Sequence, residues 1–393
     1  LIIRMLLLEY AMGIRSERRL CEEVHLNLAY RWFCRLDLSD PVPDHSTFSK
    51  NRHGRFRDSD LFRHLFETVL TRCIAEGLVG GEAFGVDASI IPADARRLNK
   101  VEAIDWTPER ITRATEEYFE TVDDEAFGAA TPVKPKVLSP VDPAARFTGA
   151  KKAYSIFAYS TNYLVDLENA VIVDVEATVP IRQAEVNAAL DMVDRVQDLY
   201  DLYPKRLVGD GAYGNAETLG WLVHGKGIEP HVPVLDKSGR QDGTFSRADF
   251  TFNTEGDRYL CPNGKELLPA RRAFQTIRPR VKDGETVRYR TAKADCAGCP
   301  LKQQCCPNTP TRHITRSIPE GARDLARDIA KTDAFVASRH ARRKVEMLFA
   351  HLKKIMGLTR LRLRGPNGAK DEFTLAATAQ NLRKMAKLLP TPA

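Results

Sequence analysis

Glu346 is a lone carboxylate in a crowd of Arg and Lys, within the segment that runs from Arg339 to Lys354. At about 3.6 residues per helical turn, Val345, Leu348, Phe349, Leu352 and Met356 form an apolar stripe that must pack on something. Arg342, Glu346 and Lys353 fall together along the edge of that stripe. An acid anchored among cations suits a metal-dependent site acting on a polyanion, but such a site needs more carboxylates. Two candidates exist. Asp87 lies inside the apolar run Ala83 to Ile91, where an unpaired carboxylate is costly to bury. Asp210 ends the run from Lys205, just before Gly211-Ala212-Tyr213-Gly214, and ligand crevices in open α/β sheets lie beyond the carboxyl ends of strands. Three carboxylates from two strands and a helix can hold two Mg²⁺ ions about 4 Å apart, one activating a water or a 3′-hydroxyl and the other stabilising the leaving oxygen. Each residue alone has a plainer explanation. A strand-end Asp usually caps or turns, and a Glu in a basic helix usually pairs with Arg342 or Arg343. Their joint occurrence, each in a suitable element, favours the site.

A second group could bind metal differently. Of eight cysteines, Cys21, Cys34 and Cys73 are scattered through helical sequence, whereas Cys261, Cys296, Cys299, Cys305 and Cys306 cluster. No secretory signal is evident: the apolar run at Leu1 to Tyr10 is broken by Arg4 and Glu9 and followed by no small-residue cleavage site. Reduced thiols in a cytoplasmic protein are therefore expected, which favours metal over disulfides. Cys261-Pro262-Asn263-Gly264 and Cys296-Ala297-Gly298-Cys299 read as metal knuckles, with Cys305 or Cys306 as the fourth ligand of a closed, structural Zn²⁺ site. The competing reading is a set of free thiols.

The elements that must position these residues follow from pattern. Up to about Leu78 the chain reads as helical, with Ser16 capping a helix from Glu17 to Leu36 and Pro41-Val42-Pro43 ending it. A second basic helix after Asp44 makes this a helix-turn-helix-like arrangement or a plain helical packing domain. Strands are expected at Ala83–Ile91, Ala153–Asp166, Ala170–Thr178, Lys205–Asp210 and Glu229–Leu235, and helices at Lys100–Glu125, Ala184–Tyr200, Asn215–His224 and Glu372–Leu389. This order predicts an α/β fold, a ribonuclease H-like mixed sheet flanked by helices, with an N-terminal helical domain (1–78). The catalytic domain would comprise 79–235 and 319–393, separated by a Cys-rich insertion at 236–318.

Composition sets the limits. The chain has 393 residues, 43% hydrophobic and 28% charged, enough for a large core and more than one domain. A net charge of +7 leans towards an acidic partner, nucleic acid first. No segment has the length of a membrane span. The chain starts with Leu1, which fits a fragment or an unusual start codon.

Gly85-Val86-Asp87-Ala88-Ser89, Val208-Gly209-Asp210-Gly211-Ala212-Tyr213 and the Arg342, Glu346, Lys353 spacing resemble the DDE transposases of bacterial insertion sequences. Pro43 to Thr47 and the tail from Gly365 through Leu382 also look like that family. The cysteines and Ser139-Pro140-Val141-Asp142-Pro143 point to a branch with a Cys-bearing insert. The resemblance implies Asp87, Asp210 and Glu346 as ligands of Mg²⁺ or Mn²⁺. It implies Arg342 and Lys353 as phosphate contacts, with Arg339 a further one where the family has Tyr. It further implies hydrolysis at the transposon 3′ ends followed by 3′-OH attack on target DNA. Double-stranded DNA, as terminal inverted repeats and target, is then the partner, and a homodimer the active form. Two other readings are a nuclease of the same fold that only hydrolyses, and an inactive transposase remnant or DNA-binding protein.

Overall fold

Apolar, β-favouring residues from Ala83 to Pro92 make one long strand, and the structure, a computed structural model, is organised around it. It describes residues 1–56, 59–103, 106–121, 124, 127, 135–149, 154–235, 242–269, 281–282, 286–317 and 319–389. The helices are α1 (Ile2–Met12), α2 (Glu17–Leu26), α3 (Leu28–Cys34), α4 (Ser46–His53), α5 (Leu61–Ala75), α6 (Arg113–Glu120), α7 (Arg182–Tyr200), α8 (Ala216–Gly220), α9 (Lys293–Ala297), α10 (Lys302–Cys305), α11 (Glu320–Ile329), α12 (Asp333–Lys354) and α13 (Gly365–Leu388). The strands are β1 (Ala83–Pro92), β2 (Val101–Glu102), β3 (Val137–Leu138), β4 (Arg146–Gly149), β5 (Ser155–Asp166), β6 (Val171–Thr178), β7 (Arg206–Val208), β8 (Glu229–His231), β9 (Thr251–Asn253), β10 (Arg258–Leu260), β11 (Glu266–Pro269), β12 (Val281–Lys282), β13 (Thr286–Arg290) and β14 (His313–Ser317). The chain is thus mixed α/β. It forms two compact units, Leu1–Asp210 with Asp333–Ala393, and Gly211–Thr332.

In the first unit β5 pairs antiparallel with β1 along one edge and with β4 and β6 along the other, while β7 adds parallel to the far side of β1. Side chains alternate across a strand. On β6, Asp174 and Glu176 receive Arg195 of α7. On β5, Tyr163, of the opposite parity, stacks on Phe349 of α12 and donates to Gln380 of α13 at 2.9 Å. Helix α7 therefore covers one face, and α12 with α13 the other. The apolar stripe of Val345, Leu348, Phe349, Leu352 and Met356 is buried as its spacing requires.

Several boundaries differ from the sequence expectation. The helix expected from Glu17 to Leu36 is two helices, because Asn27 turns extended and its side chain accepts from Ala29 N and Tyr30 N, restarting the chain as a new N-cap. Ser16 caps α2 as expected. The helix expected over Lys100–Glu125 is only α6, which begins where Thr112 and Thr115 form a reciprocal cap; residues 104–105, 122–123 and 125 lie outside the described residues. So does Ala153, the expected start of β5. The last helix begins at Gly365 rather than Glu372, since Pro366 sits in the first turn, where its missing N–H costs nothing.

Helix α13 is fastened by buried polar groups. Next to Glu372, burial pushes the Asp371 carboxyl up to about 7, with Arg113 pulling it down and Glu117 pushing it up. A raised carboxyl binds more protons folded than unfolded. Stability should therefore fall as pH rises from the ordinary value of 3.8 towards about 7, and level off above it. Asp371→Asn is expected to flatten that slope and to be more stable than the parent in alkaline buffer, as chemical denaturation on either side of the window will measure.

In the second unit the strand order is β12-β13-β11-β10-β9, with β14 on the free edge of β13. Its small core holds Phe250, Tyr259, Leu267, Tyr289 and Ile314 together with Cys296, Cys305 and Cys306. Among the described residues no helix is long and apolar enough to cross a membrane.

Candidate active site

The site begins with the absence of a side chain. A Cβ on Gly85 would lie 2.9 Å from Val345 Cγ2 and 2.7 Å from Leu167 Cδ2, so glycine lets α12 rest directly on β1. With Arg342 about one turn before Val345 and Glu346 directly after it, α12 carries both beside the β1 residue two positions on from Gly85, which is Asp87. Arg342 Nη2 lies 3.1 Å from Glu346 Oε1 and its Nη1 3.7 Å from Asp87 Oδ2. A guanidinium thus bridges two of the three expected acids.

Strand β7 brings the third. Its parallel register sets Val208 beside Gly85, so the next two residues of each chain lead to Asp210 and Asp87. Pairing stops there: β7 ends at Val208 while β1 continues to Pro92 against β5. Both Asp residues therefore lie just past the carboxyl end of the β1–β7 pairing. Burial pushes the Asp87 carboxyl above its ordinary range, Arg342 and the Ala88 amide (2.9 Å) pull it down, and the charges of Asp210 and Glu346 push it up again.

Glu185 is a member that sequence reasoning missed. It lies on the α7 side of the sheet, where Ser160 Oγ donates to its Oε1 at 2.5 Å. Burial raises this carboxyl, Ser160 lowers it, and Asp210 and Asp87 raise it again. Its position in the first turn of α7 looks in sequence like an ordinary helix-dipole partner; only the pairing of β5 with β1 discloses the neighbours.

The other expected contacts differ. Lys353 lies two turns beyond Glu346, is half-buried, and has no ion-pair partner among the described residues; burial lowers its pKa. Arg339 is exposed, one turn before Arg342. In the second unit all five clustered cysteines line one small cavity, as free thiols. Among the described residues no group of three His, Cys, Asp or Glu side chains converges closely enough to hold an ion as it stands. The acidic trio nonetheless fits a hard divalent cation in donor chemistry, offering carboxylate oxygens.

Gly85→Ala tests this construction. The added methyl is expected to cost about 1–3 kcal/mol by overpacking and to shift α12 from β1. Divalent-cation binding at the acidic trio should then fall further than the loss of folded protein, followed by thermal denaturation, accounts for.

Two family models match the chain. One described as a transposase DDE domain covers residues 260–386, and one described as a transposase domain (DUF772) covers residues 1–54. The first includes Glu346, Arg342, Lys353 and all five clustered cysteines; Asp87 and Asp210 lie outside both. No curated protein and no solved structure matches. The matches at both ends agree in kind, and together they support a DDE-type transposase of an insertion sequence.

Proposed function

We propose that this protein cuts DNA at transposon ends and joins the freed 3′ ends to target DNA, using Asp87, Asp210 and Glu346 as the carboxylates of a ribonuclease H-like core. The observation that carries this reading is Arg342 held between Asp87 and Glu346 just past the carboxyl end of the β1–β7 pairing. The mixed sheet with helices on both faces supports the fold assignment. Domain roles follow the same reading. Residues 1–78 contact DNA through their basic helices, 79–235 and 319–393 form the catalytic core, and 236–318 form a Cys-rich insertion.

Asp87, Asp210 and Glu346 would hold Mg²⁺ or Mn²⁺, which when bound activates the attacking oxygen and stabilises the leaving one. Arg342 keeps two of these carboxylates in place and offers its fork to an incoming phosphate. Lys353 and Arg339 extend the positive face along α12 towards flanking phosphates. In the first reaction water attacks the phosphodiester, and the 3′ oxygen leaves and takes up a proton. In the second, that 3′-OH attacks a target phosphodiester, so one ester bond forms as one breaks. No protein nucleophile enters either step. Two ends must be processed together, so the active complex is a homodimer.

The experiment is incubation of purified protein and Mg²⁺ with DNA carrying its terminal inverted repeat and a target plasmid. Joined products are expected. Nicking without joining would assign a hydrolytic nuclease, and binding without cleavage an inactive remnant.

A further inference from the structure

We propose that Cys261, Cys296, Cys299 and Cys305 bind one zinc ion that acts as the structural centre of the β-rich second unit. The proposal stands independently of the transposition reading.

These thiols come from separate elements yet line one cavity. Cys261 opens the tight loop between β10 and β11. Gly264, at φ +71°, lets that loop close, Gly264 N donating to Cys261 O at 2.8 Å. The closed loop points an amide at sulfur: Lys265 N lies 3.2 Å from Cys261 Sγ. Cys296 ends up beside Thr291 Oγ1, at 3.0 Å from its Sγ. The two knuckles also touch, Asn263 Nδ2 of the first reaching Cys299 Sγ of the second at 3.5 Å. Amide donors aimed at sulfur stabilise thiolate, the form that binds metal.

Charge supports a four-thiolate site. Zinc with four thiolates carries two net negative charges. The cavity wall also holds Lys265, Lys302 and Arg312 against Asp295, which leaves two positive charges. Position agrees, since Cys296, Cys305 and Cys306 belong to the buried cluster of the β-strands, with Cys261 packed against it. The thiols surround the cavity without yet converging, so the ion must draw them inward, releasing their protons as it binds. Adjacent Cys306 is left outside the ligand set, with Lys302 Nζ 3.8 Å from its Sγ.

The test uses the full chain, purified under reductant and assayed for metal content. One zinc per chain is expected in the parent, in Cys21→Ser, in Cys306→Ser and in Glu346→Gln. Cys261→Ser and Cys299→Ser, at half-exposed positions outside the buried core, should fall to background. Cobalt(II) in place of zinc should give sulfur-to-metal charge-transfer absorption, and a strong chelator should lower the melting temperature of the parent. A parent chain that retains no zinc after reloading and shows no cobalt absorption overturns the proposal. Loss of zinc in Cys306→Ser with retention in Cys305→Ser overturns the ligand assignment. Should the serine variants not fold, an unchanged melting temperature with chelator decides against it.

Discussion

Replacing Asp87 by Asn, Asp210 by Asn or Glu346 by Gln is expected to lower cleavage of transposon-end DNA by about 10³-fold or more. Each change deletes one carboxylate charge from the proposed cation site, and metal-centred charge stabilisation is worth several kcal/mol at about 1.4 kcal/mol per tenfold in rate. The folded state should survive. Glu346 is 54% exposed and, among the described residues, paired along its own helix turn with Arg342, a contact of little energetic weight. Asp87 is held by Arg342 but repelled by Asp210 and Glu346 in a partly buried place, so a neutral Asn relieves a cost as it loses a partner. Cleavage and joining should fall together, because both reactions use one site. Parent-like cleavage in any of the three variants, measured on end DNA at saturating Mg²⁺, would remove that residue from the site. Melting curves of the same preparations separate lost catalysis from lost folding.

Glu372→Ala should produce the largest loss of stability, about 3–5 kcal/mol, the usual effect of removing one partner from a buried charged network. Glu372 is fully buried. Its Oε2 accepts from Arg15 Nη2 at 2.8 Å and Tyr10 OH at 3.3 Å, while Oε1 accepts from Arg362 N at 2.5 Å and Leu363 N at 2.7 Å. One side chain therefore ties α1, the connection from α1 to α2 and the entry to α13 together. Alanine would take the acceptor from the Tyr10 hydroxyl and two amides and leave the Arg15 Nη2 only the Arg360 carbonyl. Against a total of about 5–15 kcal/mol for a typical protein, this approaches unfolding. Gln keeps the Oε1 contacts and should cost less. Urea denaturation will report both, and a loss under about 1 kcal/mol for Ala would show that solvent reaches these groups.

Much of the fold was legible because local pattern dictates it. The alternation and apolar run of β1, the β5–β6 pair about the turn at Leu167 to Asn169, and the stripe on α12 are properties of neighbouring residues, and burial follows. Boundaries were less legible where one side chain overrides a longer pattern. Asn27 breaks a helix whose apolar spacing continues through it, and Pro366 permits a start ahead of the periodic stretch.

The acids divide in the same way. Residue type and strand context singled out Asp87, Asp210 and Glu346, and the knuckle spacing singled out the cysteines. What sequence alone determined was therefore which chemistry is available: oxygen donors among cations, and thiols beside tight turns. Which groups meet was decided by tertiary structure. Parallel register brings Asp210 level with Asp87, a missing Cβ at Gly85 lets α12 carry Arg342 between two acids, and Ser160 holds Glu185 near them from the other side of the sheet. The physical reason is that pairing register and close approach depend on residues far apart in the chain, whereas propensity and spacing depend only on near ones.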